Sequence, residues 1–510
     1  ESLSATVQDL PSDDLLFNDI ASALDITGYD SNNQVWSLAS FMGRLNYNYK
    51  EKYLLEVNGR YDGTSRFMKD QRWNFFPSFS LGWNVARENF WKPLESVVNQ
   101  FKLRGSWGEL GNQNTSNLYP FYEILPVKSN SGNWLVNGGK TNTADIPSLV
   151  STLLTWERVR SFNVGFDFGA FSNRLTGSFD YFVRKTVDMV GPAPQLPLVL
   201  GIAPAIVNNA DMKSYGFEIE LSWRDRIGEV DYGVKFNLAD AQQKVVKYPN
   251  TTNAFNDWYA GKMSGEIWGY TSLGIAKTDE EMKEHLASLP NGGQNQLGNK
   301  WGAGDIMYAD INGDGKVDGG KGTLADPGDQ RIIGNSTPRY NFGLVLDASY
   351  KGFDVSIFFQ GVGKRDYAPI VGTNGAVFWG AVNNIWQSMA MEEHFDYFRP
   401  EGHPMGANLN GYYPRPDFTS NKNHQVQTRY LQDASYIRLK NLQIGYTLPK
   451  QWINKLHINR CRVYVSGDNL WTGTSLASMF DPETLAAGDW GSGKTYPLSK
   501  VISFGLNVNF

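Results

Sequence analysis

Apolar and polar residues alternate along most of this chain with a period of two, the signature of strands whose two faces meet different surroundings. In 41–50, Phe41, Gly43, Leu45, Tyr47 and Tyr49 fall on one side, and Met42, Arg44, Asn46 and Asn48 on the other. After a Lys50-Glu51-Lys52 turn, Tyr53, Leu55, Val57 and Tyr61 oppose Leu54, Glu56, Asn58, Arg60 and Asp62. The pattern returns at 76–86, 101–109, 159–168, 175–185, 215–223, 231–239, 339–350, 353–361, 436–448 and 461–471. It closes with Val501–Phe510, where Ile502, Phe504, Leu506, Val508 and Phe510 alternate with Ser503, Gly505, Asn507 and Asn509, making thirteen strands. Within 436–448 the apolar set changes parity near Lys440-Asn441, which predicts a β-bulge.

The connections alternate short and long. Short ones are 50–52, 87–100, 169–174, 225–230, 351–352 and 449–460; long ones fall at 63–75, 110–158, 186–214, 240–338, 362–435 and 472–500. Tight turns on one side and long loops on the other describe an antiparallel transmembrane β-barrel. Aromatic pairs bracket three tight turns (Tyr49 and Tyr53, Phe168 and Phe171, Tyr350 and Phe353), as an interfacial girdle requires. Arg44, Asn46, Asn48, Glu56, Arg60, Glu218, Glu220, Lys235 and Asp347 all fall on the polar face. They would be costly in the core of a β-sandwich but suit a wet lumen.

Composition sharpens this picture. Of 510 residues only 41% are hydrophobic and mean hydropathy is −0.40, yet aromatics reach 14% and there are 52 glycines, a β-rich profile. No apolar run of about 18 residues is present to form a membrane helix. Glu1 reads as a processing boundary. Bacterial barrels carry even strand numbers with both ends in the periplasm. An odd count whose first strand descends therefore predicts a C-terminal barrel portion at 38–510, preceded by an extracellular segment at 1–37. A net charge of −5 with scattered Lys and Arg excludes nucleic acid as partner. The single cysteine, Cys461, sits in a strand and reads as a buried structural thiol.

Candidate chemistry is sparse. Gly488–Thr495, GDWGSGKT, fits the phosphate-loop pattern, but Pro497 and a terminal strand follow where a helix must open, so a glycine-rich surface loop is the better reading. Asp310–Asp318, DINGDGKVD, places Asp310, Asn312 and Asp314 at positions 1, 3 and 5 of a calcium loop, the Lys316 carbonyl at 7 and Asp318 at 9. Lys321 stands where the bidentate acid belongs, so Ca²⁺ binding there competes with a plain Asx- and Gly-rich turn. Five dispersed histidines read as solvated loop residues, and no nucleophile elbow or zinc motif supports an enzyme. In the loop 362–435, Trp379, Trp386, Tyr412 and Tyr413 are candidate stacking platforms for sugars or peptide side chains. The competing reading is that so long a loop buries its aromatics in order to fold.

Several stretches together resemble the SusC/RagA family of TonB-dependent outer-membrane transporters. They are WNFFPSFSLGWNVARENFW, FKLRGSWGELGN, GDIMYADINGDGKVD, RIIGNSTPRYNFG, YKGFDVSIFFQG, ASYIRLKNLQIGYTLP and YPLSKVISFGLNVNF, spread over 38–510. The resemblance implies a plugged barrel of about 22 strands, about nine of them preceding this chain. It implies residence in the outer membrane of a Bacteroidota-type bacterium, a SusD-like surface lipoprotein as lid, and energy from TonB–ExbB–ExbD through a plug region not seen here. It also implies pairing of two transporter–lipoprotein units and import of large nutrients, oligosaccharides ahead of oligopeptides. The loops 240–338 and 362–435 are then expected to contact lid and substrate. Rival readings are a TonB-dependent siderophore or vitamin importer, a porin, or a secreted calcium-dependent carbohydrate-binding β protein.

Overall fold

The computed structural model describes residues 35–510 except 116–117, 148, 192–201, 203–204, 370–375, 381–389, 418–420, 454–456 and 486–494, together with the backbone of 2–8 and 25–32. The GDWGSGKT loop lies largely outside the described residues. Residues 2–8 and 25–32 pair as an antiparallel two-stranded sheet of their own.

The remainder is organised by one thirteen-stranded sheet. Its strands are β1 (Leu38–Tyr49), β2 (Tyr53–Thr64), β3 (Trp73–Asn84), β4 (Val98–Asn112), β5 (Glu157–Ala170), β6 (Leu175–Gly191) and β7 (Val207–Ile227). They continue through β8 (Val230–Lys247), β9 (Arg339–Tyr350), β10 (Phe353–Lys364), β11 (Tyr436–Thr447), β12 (Arg460–Thr474) and β13 (Val501–Asn509). Spatial order equals chain order, and every pairing is antiparallel, so each strand lies beside its sequence neighbour. All thirteen strands of the sequence reading are present.

Register turns local alternation into continuous rows. Tyr47, Leu55 and Leu81 lie side by side on one face, as do Leu346, Ile357 and Leu442. On the reverse face Asp347, Ser356, Gln443, Ser466 and Ser503 form a polar row. The apolar face is uncovered: Phe41 is 68% exposed, Leu45 62% and Phe504 82%. Surface of that extent is stable against lipid rather than water.

The tight turns are local in origin. Lys351 (φ 47°) and Gly352 (φ 90°) form a two-residue hairpin turn, whose left-handed backbone matches the strand twist. The predicted bulge is present at Lys440: Leu439 and Asn441 face Phe359 and Phe358 on β10, and the register against β12 shifts at the same point. Apolar parity switches there from Ile437 and Leu439 to Leu442, Ile444 and Tyr446.

The buried core is not in the wall. Its main cluster joins Tyr270, Ile306, Tyr308, Val317, Phe378, Trp379, Tyr413, Tyr430 and Phe480, all from the long connections. A smaller cluster of Phe67, Phe76, Leu154 and Trp156 sits where the rim meets its loops.

Candidate functional site: lumen face and loop crown

The polar face of the wall carries charges of both signs, held in place by neighbouring strands. Arg104 on β4 reaches Asp167 on β5 (Nε to Oδ1, 3.1 Å) and Asp180 on β6 (2.5 Å to each oxygen). On the outer face, in the row of Phe162 and Trp107 but near the loop-side ends of their strands, Arg160 on β5 donates to Glu109 on β4 at 2.7 Å. Arg462 donates to Asp354 and to Gln443, each at 2.9 Å. Asp180 and Glu218 are cross-strand neighbours, while Glu220 lies between Ser178 and Asn237. Among the described residues Glu218, Glu220 and Lys235 enter no ion pair. Half-exposed pairs of this kind contribute little stability each, so their value is a hydrated, polar passage wall.

The bulge connects this face to the loops. Arg438 holds Asp481 at 2.8 Å and Lys440 holds Glu483 at 2.7 Å, fastening the connection after β12 over the lumen side.

Above the wall, the described residues of the connections 248–338, 365–435 and 475–485 pack into one body, the crown. Asp305, with no exposed surface, accepts from Arg415 Nε and Nη2 (2.8 and 2.7 Å), Lys422 Nζ (3.0 Å), Asn423 Nδ2 (2.9 Å) and the Gly302 N–H (2.9 Å). Its side-chain partners come from a loop more than a hundred residues away. The fully buried Tyr308 donates to the Lys422 carbonyl at 2.7 Å and accepts from Gln427 at 3.1 Å. Burial pushes its phenol well above its ordinary range, so it stays a donor. A nine-residue helix, α1 (Asp279–Ala287), is opened by an N-cap: Thr278 Oγ1 accepts from the Glu281 N–H at 3.1 Å, and the Glu281 carboxylate accepts from the Lys277 N–H at 2.6 Å.

The aromatic residues offered as stacking platforms sit in this core. Trp379 is 1% exposed, edge-on to Tyr430 at 4.8 Å and against His424 at 4.4 Å; Tyr413 is 3% exposed. Neither ring is available to a ligand, because the loop uses them to bury apolar area. Tyr412 is half-buried, its hydroxyl accepting from Gln432 at 2.7 Å, and Trp386 lies outside the described residues. The reading of all histidines as solvated is also corrected. His394 is buried, its Nδ1 accepting from Met391 N–H at 2.9 Å and its Nε2 donating to the Phe378 carbonyl at 3.0 Å. His424 is 2% exposed, its Nδ1 has no partner, and burial lowers its pKa to about 4. Cys461 is a free, buried thiol, as read from the sequence.

The calcium-like loop satisfies itself. Asp310 accepts from Gly313 N–H (2.6 Å) and Gly315 N–H (2.8 Å), Asn312 from Asp314 N–H (3.0 Å), and Asp314 from Lys316 N–H (3.2 Å). Buried Asp329 accepts from Ile311, Asn312 and Asp318 N–H at 2.7, 3.3 and 2.8 Å. Lys316 enters through its side chain as well as its backbone: its ammonium lies 2.5 Å from Asp318 and 3.9 Å from Asp314. That contact holds the Asp318 carboxyl below its ordinary pKa, whereas burial raises that of Asp329. Among the described residues no three carboxylate, imidazole or thiolate groups converge on a metal position. The donor set does not fit a divalent ion, because Lys316 brings the positive charge itself.

A two-faced antiparallel wall, tight turns at one rim and a folded crown at the other define a β-barrel wall of the outer membrane. The sequence profile described as "TonB dependent receptor-like, beta-barrel" matches residues 6–470. The chain belongs to that family, whose members are transporters and not enzymes, and is SusC/RagA-like. It is 30% identical over 503 residues to TonB-dependent receptor P3 of Formosa agariphila, covering 93% of this chain and 45% of that protein. To TonB-dependent receptor SusC of Bacteroides thetaiotaomicron it is 24% identical, over 95% of this chain and 44% of the relative. A solved structure of the RagAB peptide transporter superposes with a TM-score of 0.70 at 23% identity, over 93% of this chain and 48% of the other. The chain thus spans about half the length of the relatives it matches.

Proposed function

We propose that this chain supplies lumen wall and extracellular crown to a TonB-energised importer of large polar nutrient oligomers. Oligopeptides are the first reading of the cargo. The observation that carries it is the lumen face: Arg104, Asp167 and Asp180 beside unpaired Glu218, Glu220 and Lys235 offer both charge signs to a zwitterionic chain. The similarity to a peptide transporter supports the same reading. Oligosaccharides, expected from the family resemblance, are the second; burial of Trp379 and Tyr413 removes two of the platforms on which sugar rings could stack, as it does for peptide side chains.

A surface lipoprotein lid forms part of the proposal. The crown loops 248–338 and 365–435 present the binding rim, and the connection 113–156 adds an uncovered apolar surface. There Tyr122, Ile124, Leu125, Trp134, Leu135 and Leu153 are 59–74% exposed, outside the expected lipid band, which suits a protein partner. Uptake of labelled oligopeptides and oligosaccharides into cells, with and without Glu218→Gln/Glu220→Gln, tests the cargo. Peptide uptake that falls severalfold in the double variant is expected; peptide uptake that is absent in the unaltered protein contradicts the reading.

A further inference from the structure

The connection between β3 and β4 is far longer than the three- and four-residue turns beside it, and it does not hang free. It winds as two short 3-10 turns, Val85–Arg87 and Asn89–Leu94. It then folds back over the apolar face. Phe90 meets Trp83 edge-on at 6.4 Å, and Trp91 lies flat on Phe101, with centroids 5.3 Å apart and planes 1° from parallel. Trp83 and Phe101 belong to the lipid-facing rows, beside Tyr53 and Phe168 respectively.

Polar bonds pin the segment in that pose. Trp91 Nε1 donates to the Val98 carbonyl at 2.9 Å, Glu88 accepts from Lys52 at 2.9 Å, and Phe171 in the next turn donates to the Val97 carbonyl at 2.7 Å. Yet Phe90 is 63% exposed, Leu94 51% and Val97 47%. Lys92 is exposed and pairs with no carboxylate among the described residues. Rigid apolar side chains and a free ammonium, held against a lipid-facing wall at its turn-side rim, are the elements of an interfacial anchor.

We propose that residues 85–97 lie in the headgroup layer of the inner leaflet of the outer membrane. Phe90, Leu94 and Val97 enter the acyl boundary, and Lys92 meets a lipid phosphate. The occupant is phospholipid because the patch is continuous with the lipid-facing rows of β3 and β4. The inference rests on the membrane wall and is independent of any cargo.

The test uses the assembled protein in phosphatidylethanolamine–phosphatidylglycerol liposomes, with Cys461→Ala and either Phe90→Cys or Leu94→Cys carrying an environment-sensitive dye. Glu95→Cys is the water-facing control. At 90 and 94 we expect at least twofold quenching by lipids spin-labelled near the headgroup and little by aqueous iodide, with the reverse at 95. Iodide quenching at 90 and 94 equal to that at 95 overturns the proposal. Shielding from both quenchers, the mark of a protein occupant, overturns it too. Position 94 is an independent reporter should Phe90→Cys fail to assemble.

Discussion

The wall and the crown are built from the same kinds of residue turned in opposite directions. In the wall, Phe504 is 82% exposed while Arg104, Asp167 and Asp180 pair on the inner face. In the crown, Trp379 and Phe378 are each 1% exposed and wrapped by polar loops. One region has lipid outside and water within; the other has water outside and a dry core. Burial therefore reports the solvent of each region, and an exposed phenylalanine in one is the counterpart of a buried one in the other.

Breaking the crown alone separates the two most sharply. Asp305→Ala removes the buried carboxylate shared by Lys422, Arg415 and Asn423, leaving the Lys422 ammonium with Asp417 at 3.7 Å, a loss on the order of 3–5 kcal/mol. Limited proteolysis should then cut within 277–330 and 411–430, while heat-modifiable gel mobility, which reports the wall, stays unchanged. Loss of both signals together would mean the two regions are one folding unit.

Ile357→Arg makes the opposite break. It places a charge in the lipid-facing row between Leu346 and Leu442, at a cost of about 2–4 kcal/mol in mid-bilayer. Assembly yield should fall severalfold, whereas Ser356→Arg on the inner face should leave it near that of the unaltered protein.

A pH titration sharpens the comparison further. His424 is neutral when folded, with a pKa of about 4 against about 6.5 unfolded. Below pH 6.5 the unfolded crown takes up a proton that the folded crown refuses, so stability falls as pH drops and levels off near pH 4. The full effect is at most about 3 kcal/mol. Crown proteolysis at pH 5 should exceed that at pH 7.5, and His424→Asn should flatten this difference.

The smallest expected effect is at the acidic loop. Asp310→Ala removes acceptors for Gly313 and Gly315 N–H and should loosen residues 310–318 by about 1–3 kcal/mol. A chelator should leave proteolysis of the unaltered loop as it was; increased cutting would restore calcium to the account.

The wall was readable because two solvents impose a strict period on every strand, and even the Lys440 bulge showed as a parity change. What alternation missed were the strand ends. β7 and β8 run over Val207–Ile227 and Val230–Lys247, well beyond the 215–223 and 231–239 marked by the pattern. Past the hydrocarbon both faces meet water, so Ala241-Gln242-Gln243 carries no alternation. The crown was nearly illegible for a different reason. Its core joins Tyr308, Trp379, Tyr430 and Phe480 across three connections, and Asp305 finds Lys422 117 residues away, with no periodicity to announce either. Only α1 left a local signal, the Thr278 N-cap ahead of three acidic residues. Aromatic density in 362–435 was visible, but whether those rings faced ligand or core depended on partners in other loops.

The central claim is the opposition of the two wall faces, and electron paramagnetic resonance tests it most directly. Spin labels at Val234 and Leu346, and at Lys235 and Asp347, would be placed in a Cys461→Ala background in liposomes. Lipid-soluble oxygen should relax the labels at 234 and 346 preferentially, and a water-soluble nickel chelate those at 235 and 347. Equal accessibility at adjacent positions, or the reverse phase, would contradict it.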